Sequence, residues 1–289
     1  MNPRCPISVL VPTRNEKANI GACLESCRFA DEVVVVDSFS SDGTPDIARG
    51  LGATVVDFKW DGRLPKKKNW ALANLPWRNE WVFILDADER ITPALAGEIR
   101  AVTEANGAGH SGYYVNRRFY FLGGWLNHCG YYPSWNLRFF RHAAGRYEQF
   151  EGVSATDSGD NEVHEHVILN GTAGRLRQEM EHYAFPTIDV WVEKHNRYSN
   201  WEARLLNSGP GMAAAAQAAI APGLARKRRL KRLAGRLPFR PAARFLYHYV
   251  LRGGFLDGYR GYVFCRLMGF YEFLSIAKSR EMRRPGPPA

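Results

Sequence analysis

Residues 81–90 read Trp81-Val82-Phe83-Ile84-Leu85-Asp86-Ala87-Asp88-Glu89-Arg90. The short apolar run, rich in β-branched and aromatic residues, predicts a strand buried on both faces. Charge begins where it ends. Asp86 and Asp88 stand two apart, so in extended chain their carboxylates point the same way. Such a pair suits a hard divalent cation, which in turn binds phosphate oxygens. The competing reading is a capped helix start ahead of Pro93. Against it, three acids within four residues repel one another unless a cation sits among them.

The same design recurs upstream. Ile7–Pro12 predicts a first buried strand, ending in Thr13-Arg14-Asn15-Glu16. Glu32–Asp37 predicts a second, followed by Ser38 and the turn Ser40–Pro45, whose proline suits a first helical position. Ala53–Val56 predicts a third. Helical spacing covers Lys17–Phe29, about Lys66–Leu75, and Pro93–Glu104. Strands alternating with helices predict an α/β fold with a parallel sheet covered on both faces. Ligands of such sheets bind beyond the carboxyl ends of the strands, where the polar clusters lie. Lys66-Lys67-Lys68-Asn69 offers cations to a diphosphate, with at least one lysine expected on a solvated helix face. Asp37 and the residues near Asn15 are candidates to hydrogen-bond a base and ribose.

Beyond Gly109 the pattern changes. Residues 112–170 are rich in Tyr, Phe, Trp and Gly, which predicts short strands and loops with most aromatics in the core. Thr187–Leu206 predicts a helix. Residues 208–225 are Ala/Gly/Pro-rich and predict a linker or weak helix. The remainder is basic and aromatic and predicts helices broken near Gly253-Gly254 and Gly258 or Gly261. The charges between Phe245 and Lys278 scatter around a helical wheel, which argues against one clean interfacial helix and for two short ones.

The 289 residues carry 39 Lys+Arg against 29 Asp+Glu, with 45% apolar and 24% charged residues. That balance excludes a mainly disordered or fibrous chain. The positive excess is local: residues 223–289 hold 16 Lys+Arg and 3 Asp+Glu. Such a segment attracts polyanions, either nucleic acid or an anionic membrane surface. Five cysteines, an odd number in a long chain, argue against a disulfide framework and for a reducing compartment. Neither a secretory leader nor a membrane-spanning run is expected.

The stretches Ile7–Glu16, Val33–Thr44, Lys68–Leu72 and Trp81–Arg90 resemble, in order and spacing, the family 2 glycosyltransferases of the GT-A fold. Later pieces resemble the lipopolysaccharide-core subgroup: Asn136–Phe140, Val163–Val167, His182–Phe185, Lys194–Ser199 and Gly253–Gly261. The resemblance implies a Rossmann-like, mostly parallel sheet with flanking helices over residues 1–207; composition adds a linker at 208–225 and a basic aromatic helical membrane-association segment at 226–289. It implies an inverting transfer from a nucleotide-diphospho-sugar, such as UDP-glucose, to a lipid-linked saccharide. Pro12, Thr13, Asn15, Glu16, Asp37, Ser38, Lys68 and Asp86 match nucleotide-binding positions; Asp42 belongs to the same turn, with a helix-cap role equally open. Asp86, Asp88 and His182 match a site for Mg²⁺ or Mn²⁺, a histidine merely packed among Tyr183 and Phe185 being the alternative for His182. Glu165 is the chosen catalytic base, with Glu162, Asp160 and Glu151 as competitors. Arg138 is a candidate for an acceptor or diphosphate anion, or for a structural ion pair. A peripheral enzyme on the cytoplasmic face of the membrane, held through residues 226–284, completes the expectation. Two other classes stay open. One is an inactive sugar-nucleotide or glycan-binding protein of the same fold. The other is a nucleic-acid binder acting through the basic tail, which no recognised motif supports.

Overall fold

The computed structural model describes residues 4–149, 160, 166–207 and 239–283. The described residues fall into two compact units. The first holds residues 4–120, 133–149, 160 and 166–184; the second holds 121–132, 185–207 and 239–283.

In the first unit, β1 (Cys5–Thr13), β2 (Ala30–Asp37), β3 (Thr54–Asp57) and β4 (Trp81–Ile84) alternate with α1 (Lys17–Ser26), α2 (Thr44–Gly50) and α3 (Lys67–Asn74). There follow β5 (Glu89–Ile91), α4 (Pro93–Glu104) and β6 (Gly112–Phe121). The two-residue β7 (Gly124–Trp125) belongs to the second unit. Then come β8 (Trp135–Arg141), β9 (Gly145–Tyr147), β10 (Val167–Leu169) and β11 (Ala173–Phe185). The main sheet runs β3-β2-β1-β4-β8-β6-β11-β5. The first four strands are mutually parallel, as the buried apolar runs require. Next, β8 runs antiparallel to both β4 and β6, and β5 antiparallel to β11. The α/β, GT-A-type expectation holds, with the parallel character confined to one half of a mixed sheet.

Local chemistry accounts for the elements. The run Val33–Val36 packs its β-branched side chains into the core. Helix α4 starts where Thr92 caps it, its hydroxyl accepting from Leu95 N at 3.2 Å, and Pro93 follows in the first turn. Trp81 of β4 stacks on Phe139 of β8 at 4.7 Å between ring centres, joining the parallel and antiparallel halves through the core. The region 112–170 is not made of short strands alone, since β6 has 10 residues; β11, beyond that region, has 13. Along β11, Leu176, Met180 and Ala184 are buried on one side, while Gln178 on that side is exposed.

The second unit contains α5 (Ile188–Asn207), α6 (Arg240–Leu246), a π turn at Tyr247–Leu251, a 3₁₀ turn at Gly254–Asp257 and α7 (Gly258–Glu281). The breaks at Gly253 and Gly258 are as expected, both with positive φ. The second helix is not short: its 24 residues run straight through Gly261. Gly261 is needed there because a Cβ would lie 1.9 Å from the Gly254 carbonyl oxygen. Lys278 Nζ ties α7 to α5 through Asn196 and Asn200, each amide oxygen at 2.6 Å. No described helix is long and apolar enough to cross a membrane. The linker at 208–225 and the basic run 226–238 lie outside the described residues.

Candidate active site

Strand register sets the site. β1 lies between β2 and β4, with Thr13 opposite Asp37. The carboxyl ends of three neighbouring strands therefore present Thr13, Asp37 and Asp86 along one edge.

At the end of β2, Asp37 is fully buried. Its Oδ1 accepts from Thr13 Oγ1 at 2.8 Å and Ser40 Oγ at 2.5 Å, and its Oδ2 from Ser40 N at 2.7 Å. Asn15, at φ +55°, locks the two loops together: its N–H donates to Ser40 Oγ at 2.7 Å and its Oδ1 accepts from Ser41 N at 2.9 Å. Glu16 N donates to Thr44 Oγ1 at 2.9 Å. Asp42 takes the cap role, accepting from Lys17 N at 2.9 Å and from Thr44 N at 3.0 Å. Its modest desolvation raises the carboxyl pKa, but the Thr44 and Lys17 hydrogen bonds outweigh that and hold it below the usual range. Pro12 is buried at the penultimate position of β1. An open cavity of about 470 Å³ borders these loops, lined by Asp37, Phe39, Ser40, Gly43 and Arg49 among others.

The lysines at the start of α3 correct the sequence reading. None of Lys66, Lys67 and Lys68 is solvated; all three are buried. Lys67 Nζ donates to the Thr13 carbonyl at 2.6 Å and pairs with Asp160 at 3.2 Å. Burial pulls its pKa below the ordinary lysine value, while Asp160 and Asp37 oppose that pull. Asp160 also accepts from the Ser38 hydroxyl, so this competitor for the base is tied into the nucleotide-side loops. Lys68 Nζ lies 3.0 Å from Asp86 Oδ1 and 5.2 Å from the centre of the Tyr147 ring. Asn69 fixes that ring's backbone with two hydrogen bonds, to Tyr147 O at 2.9 Å and from Tyr147 N at 2.7 Å.

The acids after β4 are neutralised largely by the chain itself. Arg138, brought in by β8, places Nη2 2.7 Å from Asp86 Oδ2 and 2.9 Å from Glu89 Oε1. Arg117 of β6 adds a contact to the same Glu89 oxygen at 3.2 Å. Glu89, fully buried, also accepts from Asp86 N at 2.9 Å. Desolvation pushes the Asp86 pKa up, but Arg138 and then Lys68 outweigh it and hold the carboxyl well below the usual range. The ion pair foreseen for Arg138 is therefore formed, with Asp86 and Glu89.

Asp88 is placed differently. β11 pairs with β5 so that His182 faces Glu89 in register, and Tyr183 N donates to the Asp88 carbonyl at 2.8 Å. His182 Nε2 then lies 3.5 Å from Asp88 Oδ1. The imidazole is also edge-on to Phe119, at 5.5 Å. A carboxylate oxygen and an imidazole nitrogen side by side fit Mg²⁺ or Mn²⁺. Among the described residues no group of three or more His, Cys, Asp or Glu side chains forms a cage, so ligands from a bound substrate or water would have to complete the sphere.

The structure thus brings together Thr13, Asn15, Asp37, Ser38, Lys68, Asp86, Asp88, Arg138 and His182. Glu165, Glu162 and Glu151 lie outside the described residues. Sequence reasoning missed Glu89 and Arg117 as parts of the site, and placed Lys67 among cations for a diphosphate without foreseeing its pairing with Asp160. Glu89 was within reach, since an acid directly after a buried strand calls for a partner; nothing local marks Arg117.

The family model for glycosyl transferase family 2 matches residues 8–157. The chain is 29% identical over 293 residues to the lipopolysaccharide core biosynthesis glycosyltransferase LpsC of Rhizobium meliloti, covering 96% of this chain and 93% of that one. It is 28% identical over 287 residues to an uncharacterized glycosyltransferase of Rickettsia prowazekii, covering 96% and 87%. Among solved structures, S. aureus TarS residues 1–349 in complex with UDP is similar at 18% identity and a TM-score of 0.45, covering 95% of this chain and 89% of that one. The family model spans more than half of the chain, and the protein belongs to glycosyl transferase family 2.

Proposed function

We propose that this glycosyltransferase is an inverting enzyme that moves a hexose from a nucleotide-diphospho-sugar to a saccharide of the lipopolysaccharide core or another lipid-linked cell-envelope glycan. The observation that carries the reading is the convergence of Asp37, Lys68, Asp86 and the Asp88–His182 pair on one sheet edge. The likeness to LpsC along nearly the whole chain supports the acceptor class. A uridine donor is what the family resemblance implies.

In this reading the loops after β1 and β2 receive the nucleoside, with Asp37 held rigid by Thr13 and Ser40. Lys68 and Arg138 keep Asp86 ionised and fixed. Asp88 and His182 would hold Mg²⁺ or Mn²⁺, which when bound neutralises the charge of a departing diphosphate. Glu165 is the proposed base. It takes the proton of the acceptor hydroxyl as that oxygen bonds to the anomeric carbon and the bond to the diphosphate breaks. A single displacement inverts the anomeric centre. The acceptor is met at the cytoplasmic face of an anionic membrane.

Release of nucleoside diphosphate from a panel of sugar nucleotides, with and without Mn²⁺, tests the reading. Turnover of one donor by the wild type and its loss in Asp88→Ala is the expected result. Absence of both turnover and donor binding overturns it.

A further inference from the structure

Helix α7 buries one side and leaves the other open. Phe264, Cys265, Met268, Glu272 and Ser275 are buried on the inner side. Tyr259, Tyr262, Arg266, Phe270 and Phe273 are exposed. At 100° per residue these five fall within an arc of about 80°, opposite the buried side. A helix in water normally carries charge on that arc. Here four of the five residues are aromatic, with Tyr259 76% and Phe273 54% exposed.

The stripe continues into the segment before α7. Tyr249 lies 5.9 Å from Tyr262 and 6.2 Å from Phe255, ring centre to ring centre. Phe245 packs against Tyr262 and under the Arg266 guanidinium, at 6.3 and 5.4 Å. Around this cluster Leu246, Val250, Leu251 and Leu256 are exposed, Leu251 at 76%. Apolar exposure of this extent marks an interaction surface.

Charge identifies the partner. Between Phe239 and Glu281, the end of α7, the exposed charged side chains are Arg252, Arg260, Arg266 and Arg280, with Glu281 as the one exposed acid, in the last turn. The other two acids of the stretch are withdrawn. Glu272 is buried and paired with Arg240 and Arg244. Asp257 is paired with His128 Nδ1 at 2.8 Å. The scatter of charge around the wheel is thus a scatter of sequence only: Glu272 sits inside, and the outer face is aromatic and cationic. A second copy docked by a two-fold axis would set two net cationic faces against each other. The segment Arg226–Arg236 carries seven Lys+Arg and no acid, so it too is repelled.

We propose that the outer face of α7, together with the turns at 246–256, rests on an anionic lipid bilayer. Tyr and Phe rings enter the headgroup level and the arginines contact lipid phosphates. The inference rests on the reading of a membrane-side acceptor given above, and narrows the contact from the basic aromatic segment as a whole to one face of α7 and the turns before it.

The test uses the full chain, sedimented with phosphatidylcholine vesicles with and without phosphatidylglycerol. Binding is expected to be at least roughly tenfold tighter with phosphatidylglycerol. Arg252→Gln/Arg266→Gln is expected to lower it roughly fivefold per arginine on the anionic vesicles only. Tyr259→Ser/Phe270→Ser/Phe273→Ser is expected to lower it more than about tenfold on them, with an unchanged unfolding midpoint. If the triple variant does not fold, Phe273→Ser alone is measured. Wild-type vesicle binding by a folded aromatic variant overturns the proposal. So does a wild-type solution mass of twice the chain that the aromatic variant halves, which would make the face a dimer contact. Donor hydrolysis without vesicles is followed in parallel. Hydrolysis without vesicle binding overturns this inference and leaves the proposed function standing; vesicle binding without hydrolysis or donor binding does the reverse.

Discussion

Arg138 Nη2 lies 2.7 Å from Asp86 Oδ2, and the same nitrogen lies 2.9 Å from Glu89 Oε1. One buried guanidinium thus serves two acids three residues apart, on either side of Asp88. Removing it strips the half-buried Asp86 and the fully buried Glu89 of the cation they share. Arg138→Met is expected to destabilise the protein by about 3–5 kcal/mol. Adding Asp86→Asn to that variant is expected to recover part of the loss. Denaturant unfolding of the single and double variants checks both.

Asp88 Oδ1 and His182 Nε2 lie side by side at 3.5 Å. Asp88→Asn and His182→Ala are expected to lower donor turnover by about a hundredfold or more while unfolding midpoints change little. Chelation of wild-type enzyme is expected to abolish turnover, and Mn²⁺ or Mg²⁺ to restore it. Nucleoside diphosphate release is the readout.

Asp37 accepts three hydrogen bonds while fully buried. Asp37→Ala is expected to strand the Thr13 hydroxyl and the Ser40 N–H, at a cost of roughly 1–3 kcal/mol for each group left unpaired. It is also expected to raise the donor KM more than it lowers kcat. Steady-state kinetics and thermal unfolding separate the two effects.

Glu165→Gln is expected to abolish transfer to the acceptor with donor affinity unchanged. Calorimetric donor titration beside a transfer assay tests this. Preserved transfer would move the base to Glu162 or Glu151.

His195 of α5 is stacked on Trp191 at 3.6 Å and buried, which lowers its pKa to about 4. In the unfolded chain it takes up a proton near pH 6.5, so between pH 6.5 and 4 the unfolded state binds more protons than the folded one. Its contribution is complete above pH 6.5 and is lost as pH falls toward 4, by up to roughly 3 kcal/mol. His195→Gln is expected to flatten the unfolding midpoint over that interval.

The sequence alone determined the parallel half of the sheet. The runs Val9–Pro12, Val33–Val36 and Trp81–Ile84 are apolar throughout, short and rich in β-branched residues, the pattern of strands buried on both faces. It also determined that Asp37, Asp86 and Asp88 stand at strand ends, because the polar residues begin where the apolar runs stop. Three things belonged to the tertiary structure. The solvation of Lys66–Lys68 is decided by the acids opposite α3, which come from distant strands and loops. The pairing of Arg138 with Asp86 spans 52 positions and depends on β8 lying beside β4. The meeting of His182 with Asp88 depends on β11 turning back along β5. On α7 the charges look scattered until packing shows that Glu272 is inside and that aromatics and arginine face out. Periodicity reports which residues share a face; only the neighbouring elements decide which face is covered and which charges find partners.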